Sequence, residues 1–414
     1  MLAVGALVWG TVHTPAMADQ IRDAQWPLKK FAAEARVWPI SQGDGVVVAV
    51  VDGGVSQEHQ DLVGQVLPGA DFSGGRTDGR VDSDGHGTAM ASLIAGTGHG
   101  ASAGVIGLAP KAKILPVRVR SVDGLPEAQQ SDLAQAVRFA ADQGVKVINV
   151  SLGGYSGADA LTRDAIKYAA SKDIVVVASA GNSGNKSSPV EYPAAFPGVV
   201  AVAAVDEQNR VWEKSTFGPE TTIAAPGVGI YHASVTSTSS YNVGNGTSDA
   251  TAYVSATAAL IRSKYPALSA GQVINRMIKS ATPPGDGSAV PNAHYGYGVV
   301  DPARALEPNA AVDGGAKANP LLGRAESQGA SAGSAAEPTD DASVPPMAAP
   351  VAGAGGNAGV TYTLLGAGGL LVLVVAGVGA GLMARARKRR RAAVAGASPY
   401  PPGYGPPPQQ PPYR

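Results

Sequence analysis

The sequence predicts an α/β domain with a doubly wound, mostly parallel sheet flanked by helices over residues 46–307, plus one C-terminal transmembrane helix. Three observations carry this. Five short runs rich in β-branched residues are apolar on both faces, as strands covered from both sides are. Stretches of helical length and pattern lie between them, and that β–α alternation calls for crossover connections. Far downstream, the 20 residues Leu364–Met383 are Leu, Val, Ala and Gly with one Met and no charge.

The elements follow in chain order. Leu2–Val12 is mostly apolar, and small residues occupy the −3 and −1 positions of a cut after Ala18, so residues 1–18 read as a signal peptide, although no Lys or Arg precedes the apolar run. Residues 19–45 form a short polar and aromatic N-terminal extension containing Trp26 and Trp38. The expected strands are Val46–Val51, Ile114–Val119, Val145–Val150, Ile174–Ala178 and Val199–Val205. The expected helices are His86–Ala95, Ser131–Gln143, Asp159–Ser171, Thr251–Lys264 and Ser269–Lys279. Residues 308–361 are Ala, Gly, Ser and Pro with scattered charges and no hydrophobic period, which predicts a disordered linker. Residues 362–384 are the expected membrane helix, because 20 helical residues span roughly 30 Å of hydrocarbon. Tyr362 stands at its outer edge, and the basic cluster 385–391 opens a basic, then Pro-rich tail at 385–414. Positive-inside logic puts that tail in the cytoplasm. The expectation is a single-pass cell-membrane protein that contacts the lipid bilayer through Leu364–Met383, with its folded domain extracellular.

Composition narrows the function. The formal charge of zero hides an asymmetry: seven of the 32 basic residues lie in the last 30 positions, which leaves −7 on the rest of the chain. A mildly acidic body argues against nucleic-acid binding. The absence of cysteine excludes disulfides, thiol catalysis and thiolate metal sites. Asp78, Asp82 and Asp84 are close in sequence but lack the spacing of a dense calcium loop, so no cofactor is expected, Ca²⁺ being conceivable only in a structural role.

Four segments carry chemistry, each where a strand meets a loop or a helix begins. Val48-Ala49-Val50-Val51-Asp52-Gly53-Gly54-Val55 places an Asp just past a buried strand, the edge where open α/β sheets build sites. Asp84-Gly85-His86-Gly87-Thr88-Ala89-Met90-Ala91 opens a helix of small residues with a His. Ala178-Ser179-Ala180-Gly181-Asn182-Ser183-Gly184 sets an Asn after another strand. Asn245-Gly246-Thr247-Ser248-Asp249-Ala250-Thr251 sets a Ser at a helix start, where unpaired backbone N–H groups and the dipole favour negative charge. Taken singly, an Asp-Gly turn, a His in a glycine loop, a glycine-rich turn and a Ser cap are all commonplace.

Together and in this order, the four segments resemble the subtilases, the subtilisin-like serine proteases, over roughly residues 46–306. The resemblance implies a subtilisin-like fold and a triad of Asp52, His86 and Ser248 with Asn182 as oxyanion donor. It also implies that Ser151, Leu152, Gly153 and Gly154 line the substrate cleft, and that Glu191 lies near the specificity pocket, where it would favour a basic residue before the cut. Two positions depart from the family pattern: Gly53 stands where Thr or Ser is usual, and Ala252 where Pro is usual. The short extension, the Pro/Gly/Ala-rich linker and the membrane helix look like the mycosins, membrane-anchored subtilases of type VII secretion. The expected function is therefore serine endopeptidase action on extracytoplasmic proteins or peptides, alongside secretion-system membrane proteins, with activity rising through about pH 6–7 as an ordinary imidazole loses its proton. The alternative is a membrane-tethered scaffold that stabilises a secretion complex with dispensable proteolysis. An esterase reading is weaker, because the nucleophile lacks the Gly-x-Ser-x-Gly elbow.

Overall fold

The computed structural model describes residues 17–324, except 101, 121–131, 156, 158 and 187–188. The expected membrane helix, the cytoplasmic tail and nearly all of the expected signal peptide lie outside the described residues. Among the described residues, no helix is long and apolar enough to cross a membrane.

In chain order the helices are α1 (Met17–Ala24), α2 (Trp26–Lys30), α3 (His86–Ala95), α4 (Asp132–Asp142), α5 (Ala160–Ser171), α6 (Thr247–Lys264), α7 (Ala270–Ser280), α8 (Pro302–Leu306) and α9 (Ala310–Asp313). The strands are β1 (Val47–Asp52), β2 (Ala70–Asp71), β3 (Thr97–His99), β4 (Ala103–Ile106), β5 (Lys113–Arg118), β6 (Val147–Val150), β7 (Val175–Ser179), β8 (Val200–Val205), β9 (Thr221–Pro226), β10 (Val228–Ala233) and β11 (Tyr241–Asn245). Seven of the strands form one sheet in the order β2-β5-β1-β6-β7-β8-β9, and every neighbouring pair is parallel.

Alternate residues of the central strands face opposite layers. Val48, Val50, Val175 and Val177 pack with α3, α6 and α7 on one face, whereas Ala49, Val51, Val176 and Ala178 pack with α4 and α5 on the other. Both faces are buried, which is why these strands read as unbroken apolar runs. The chain leaves β1 toward β5 on one side and β6 on the other. The crevice beyond the C-terminal ends of β1 and β6 is therefore the switch point where α/β folds build sites.

The five expected strands form, shifted by two residues at most. The first expected helix has the bounds read from sequence, but α6 begins at Thr247 instead of Thr251, with no proline to interrupt its first turn. Not foreseen were the two-residue edge strand β2, β9 at the other edge, whose Thr-Thr start and Pro226 end suit that place, and the hairpins β3–β4 and β10–β11.

Two boundaries change. The N-terminal extension packs as part of the domain: Leu28, Phe31, Ala33 and Val37 are buried in the main core, and Phe31 meets Tyr253 of α6 edge to face at 5.8 Å. The Trp26 and Trp38 indole N–H groups donate to the Val228 and Leu108 carbonyls at 3.0 and 2.9 Å. At the other end, the linker expected from residue 308 is packed as far as Arg324. Buried Arg276 holds Asp313 through two hydrogen bonds of 2.7 and 2.6 Å, and Arg324 donates to the carbonyls of Phe196 and Glu220, each at 2.7 Å. A buried guanidinium requires such partners. The segment is tied down by hydrogen bonds to residues distant in sequence, not by a hydrophobic stripe, so its composition resembles that of a linker.

Candidate active site

Three strand ends and two helix starts converge on the switch-point crevice. Asp52 is the last residue of β1 and its side chain is buried. Both of its carboxylate oxygens lie 2.9 Å from His86 Nδ1, and the first also accepts the Gly53 N–H at 2.8 Å. A carboxylate only accepts, so Nδ1 carries the proton and Nε2 is left as the basic nitrogen. The turn before His86 is held by two other carboxylates. Asp82 accepts the Thr88 N–H and hydroxyl at 2.9 and 2.6 Å, and Asp84 accepts the His86 N–H at 2.9 Å. Among the described residues, no three His, Asp or Glu side chains gather as metal ligands. The carboxylates weighed as calcium candidates thus include two that orient the start of α3.

The Asp52 carboxylate, with smaller help from Asp249 and Asp84, outweighs burial and pushes the His86 imidazole up to about 9. The ring turns its Nδ1 edge inward, and 39% of the side chain still faces the cleft.

Ser248 is the second residue of α6, at the positive end of an 18-residue helix. Its hydroxyl donates to the Ser151 carbonyl at 3.0 Å, and the Ser151 hydroxyl donates back to the Ser248 carbonyl at 3.1 Å. One hydroxyl proton has one acceptor, so donation to the imidazole requires rotation about the Ser248 side chain. Asn149 bridges Ser151 and Ser255 at 3.0 and 2.8 Å, which fixes the end of β6 against α6.

Asn182 follows β7 and is exposed. Its Oδ1 accepts both the Thr247 N–H at 2.9 Å and the Thr247 hydroxyl at 3.0 Å. The Thr247 N–H can only donate, so the amide is oriented with Oδ1 toward it and its NH₂ turned the other way. A Cβ on Gly246 would stand 3.6 Å from the Ser248 N–H nitrogen and 3.7 Å from Asn182 Nδ2. A side chain at that position would fill the space both donors face.

Asp52, His86, Asn182 and Ser248 line one cavity of about 410 Å³ together with the segment Ser151–Gly154, so every site residue singled out from the sequence borders the same cleft. None of the described residues of the N-terminal extension lines it. Glu191 borders it too and is half-buried. A Cβ on Gly153 would come within 2.0 Å of its Oε2, and one on Gly181 within 2.5 Å of its Oε1, so these two glycines admit the carboxylate between them. Gly53 has a related local reason: a Cβ there would meet the Asp84 carboxylate at 3.0 Å. Sequence reasoning gave no role to Thr247, Asn149 or Asp249, and weighed Asp82 only as a calcium ligand. Only Asp82 carried a legible signal, as an acidic residue ahead of a helix start.

A site of this form, at this edge of a doubly wound parallel sheet, is that of a serine hydrolase. The Peptidase_S8 model, described as the subtilase family, matches residues 43–298, so the chain belongs to that family and is a subtilisin-type serine endopeptidase. Subtilisin DY from Bacillus licheniformis is 38% identical over 262 residues, which is 63% of this chain and 90% of that protein. Among solved structures, MycP1 from Mycobacterium smegmatis is 28% identical, with a TM-score of 0.60 over 70% of this chain and 86% of that one. The MycP3 protease from the type VII (ESX-3) secretion system is 32% identical, with a TM-score of 0.58 over 69% and 88% of the two chains.

Proposed function

We propose that Asp52, His86 and Ser248 act as a catalytic triad, with Asn182 and the Ser248 N–H as oxyanion donors, to hydrolyse peptide bonds of extracytoplasmic proteins. The observation that carries this is the Asp52–His86 pair, which leaves the imidazole's basic nitrogen facing the cavity that Ser248 and an oriented Asn182 amide also line. In that reading, rotation brings the Ser248 hydroxyl to His86, which takes its proton as the oxygen attacks the carbonyl carbon. Negative charge develops on the carbonyl oxygen, and the two donors meet it there. His86 then protonates the leaving amine, and water repeats the sequence on the acyl-enzyme. The substrate runs extended along Ser151–Gly154, backbone against backbone. The likeness to MycP3, a protease from a type VII secretion system, together with the apolar stretch Leu364–Met383, supports a membrane-anchored role beside such a system. Labelling the full-length protein with a fluorophosphonate tests the chemistry. Covalent labelling is expected. Folded protein that stays unlabelled would instead favour the scaffold reading.

The base must be neutral to accept a proton, and His86 is held charged up to about 9 by Asp52. The rising limb of kcat/KM is therefore expected near pH 9 instead of 6–7, with activity climbing about tenfold per pH unit below it. A profile flat across neutral and alkaline pH would remove His86 from the role of base.

Glu191 supports a substrate class. Its carboxylate borders the acyl side of the cleft, so cleavage after Lys or Arg is expected. Glu191→Gln should lower kcat/KM for such substrates by about tenfold or more, with little change for norleucine at that position, since a charged hydrogen-bonded partner is worth about 1.5–3 kcal/mol. Peptide-library profiling of the two proteins decides it.

A further inference from the structure

Beside the cleft lies a second cavity of about 330 Å³, bounded by the starts of α3 and α6 and by the β10–β11 hairpin. It shares Asp84, His86, Asn182 and Ser248 with the cleft but not the Ser151–Gly154 segment, so it opens on the other side of the nucleophile from the expected acyl half of the substrate. Asp249, the residue after Ser248, lines it. The Asp249 side chain is buried, with the residue only 4% exposed, and its Oδ1 has no hydrogen-bond partner. A buried carboxylate oxygen without a partner is costly. Here burial pushes the carboxyl up to about 7 even though the His86 charge opposes the shift.

The surrounding groups define what could partner it. Asp84 and His86 face the cavity from the start of α3, His232 faces it from β10, and Tyr253 is the nearest titratable neighbour on α6 itself. No Lys or Arg is among the lining residues. His232 Nδ1 lies 3.0 Å from the Ala233 carbonyl, which can only accept, so Nδ1 carries the proton. Burial holds the ring below the ordinary imidazole range, which leaves Nε2 as a neutral acceptor. A Cβ on Gly244 would stand 2.8 Å from that Nε2 and 3.3 Å from Asp249 Oδ2, so both acceptors border the space that a glycine leaves empty. Two acceptors and a second carboxylate at Asp84, with no lysine or arginine and with the His86 charge paired to Asp52 at 2.9 Å, make a receptor for a cationic group.

We propose that Asp249 is a specificity-determining residue on the leaving-group side, receiving the ammonium or guanidinium of a Lys or Arg C-terminal to the scissile bond. This rests on the proposed function, because the bond cut at Ser248 defines which side leaves.

The test uses the full-length protein and its Asp249→Asn variant on peptides that carry Lys, Arg or norleucine after a fixed cleavage point. At a pH above about 8 the native protein is expected to favour Lys or Arg over norleucine by about tenfold or more in kcat/KM, and the variant to show less than about a twofold preference. Preference before the cut should be the same in both. Asn keeps the side-chain shape and removes the unpaired charge, so the variant's melting temperature at that pH should be no lower. A pH series on the native protein alone gives an independent reading: the Lys-to-norleucine ratio should shrink as pH falls through about 7 and Asp249 takes up its proton. His86 titration affects both peptides alike and cancels from that ratio. The proposal is overturned by a native protein with no preference after the cut, by a preference that survives Asp249→Asn, or by a ratio constant with pH. Fluorophosphonate labelling keeps the two levels apart. A labelled enzyme without this preference sinks only the leaving-side inference, whereas an unlabelled one sinks the reading beneath it.

Discussion

Ser248→Ala is expected to lower kcat on a peptide substrate by about 10⁶-fold while leaving KM within a few-fold. Substrate binding would be spread along Ser151–Gly154 and the pocket around Glu191, of which the substitution touches only the Ser151 carbonyl. The loss falls instead on the step that needs an alkoxide-like nucleophile. Ser248 is buried at the first turn of α6, so Ala fits there without strain, and the only hydrogen bond removed is the one its hydroxyl donates to the Ser151 carbonyl. His86→Ala should cost a comparable factor, and the double variant no more than either single one, because base and nucleophile act as a unit. Steady-state kinetics on one fluorogenic peptide measures all three. Additive losses would mean that the two side chains do not share a step.

Asn182→Ala is expected to lower kcat by about 10²–10³-fold, equivalent to roughly 3–4 kcal/mol of transition-state stabilisation, again with little change in KM. The amide is exposed, but its Oδ1 accepts two donors of buried Thr247, so Ala leaves those donors unpaired at a cost of about 1–3 kcal/mol, and the melting temperature is measured alongside kcat. Two donors from Thr247 fix the carbonyl end of the amide and thereby aim the NH₂ end. Asn182→Asp should therefore be worse than Ala, because it sets an acceptor and a negative charge where the oxyanion forms. A variant at 182 that left kcat within about twofold would take Asn182 out of the oxyanion hole.

The parts of this molecule that were legible in the sequence share a cause. The runs around Val48, Ile148 and Val176 are apolar at nearly every position because both faces are buried, so each strand announces itself. Asp52, His86, Asn182 and Ser248 were visible because each sits beside glycines at a strand end or helix start, in an order shared with a large family. Thr221–Pro226 gave no such signal, since an edge strand can begin with two threonines and end on a proline. Residues 308–324 looked unstructured because Arg276 and Arg324, not a hydrophobic stripe of their own, tie them to the domain.

The sequence by itself determined the layered α/β plan, which follows from local pattern, and the identities of the four residues at the cleft, which follow from motifs in an order that resembles the subtilases. Only the tertiary structure decided how those side chains are held and what stands beside them. Thr247 orients the Asn182 amide, the Ser248 hydroxyl is turned to Ser151, and Glu191 lies between two glycines in the cleft. Asp249 is buried with an oxygen unmatched. Hydrogen-bond direction, burial and the electrostatics that follow depend on groups far apart in the chain, such as Ser151 and Ser248 at 97 positions, meeting within about 3 Å. Periodicity along one chain does not encode such meetings, because they arise only when separate strands and helices close on one another.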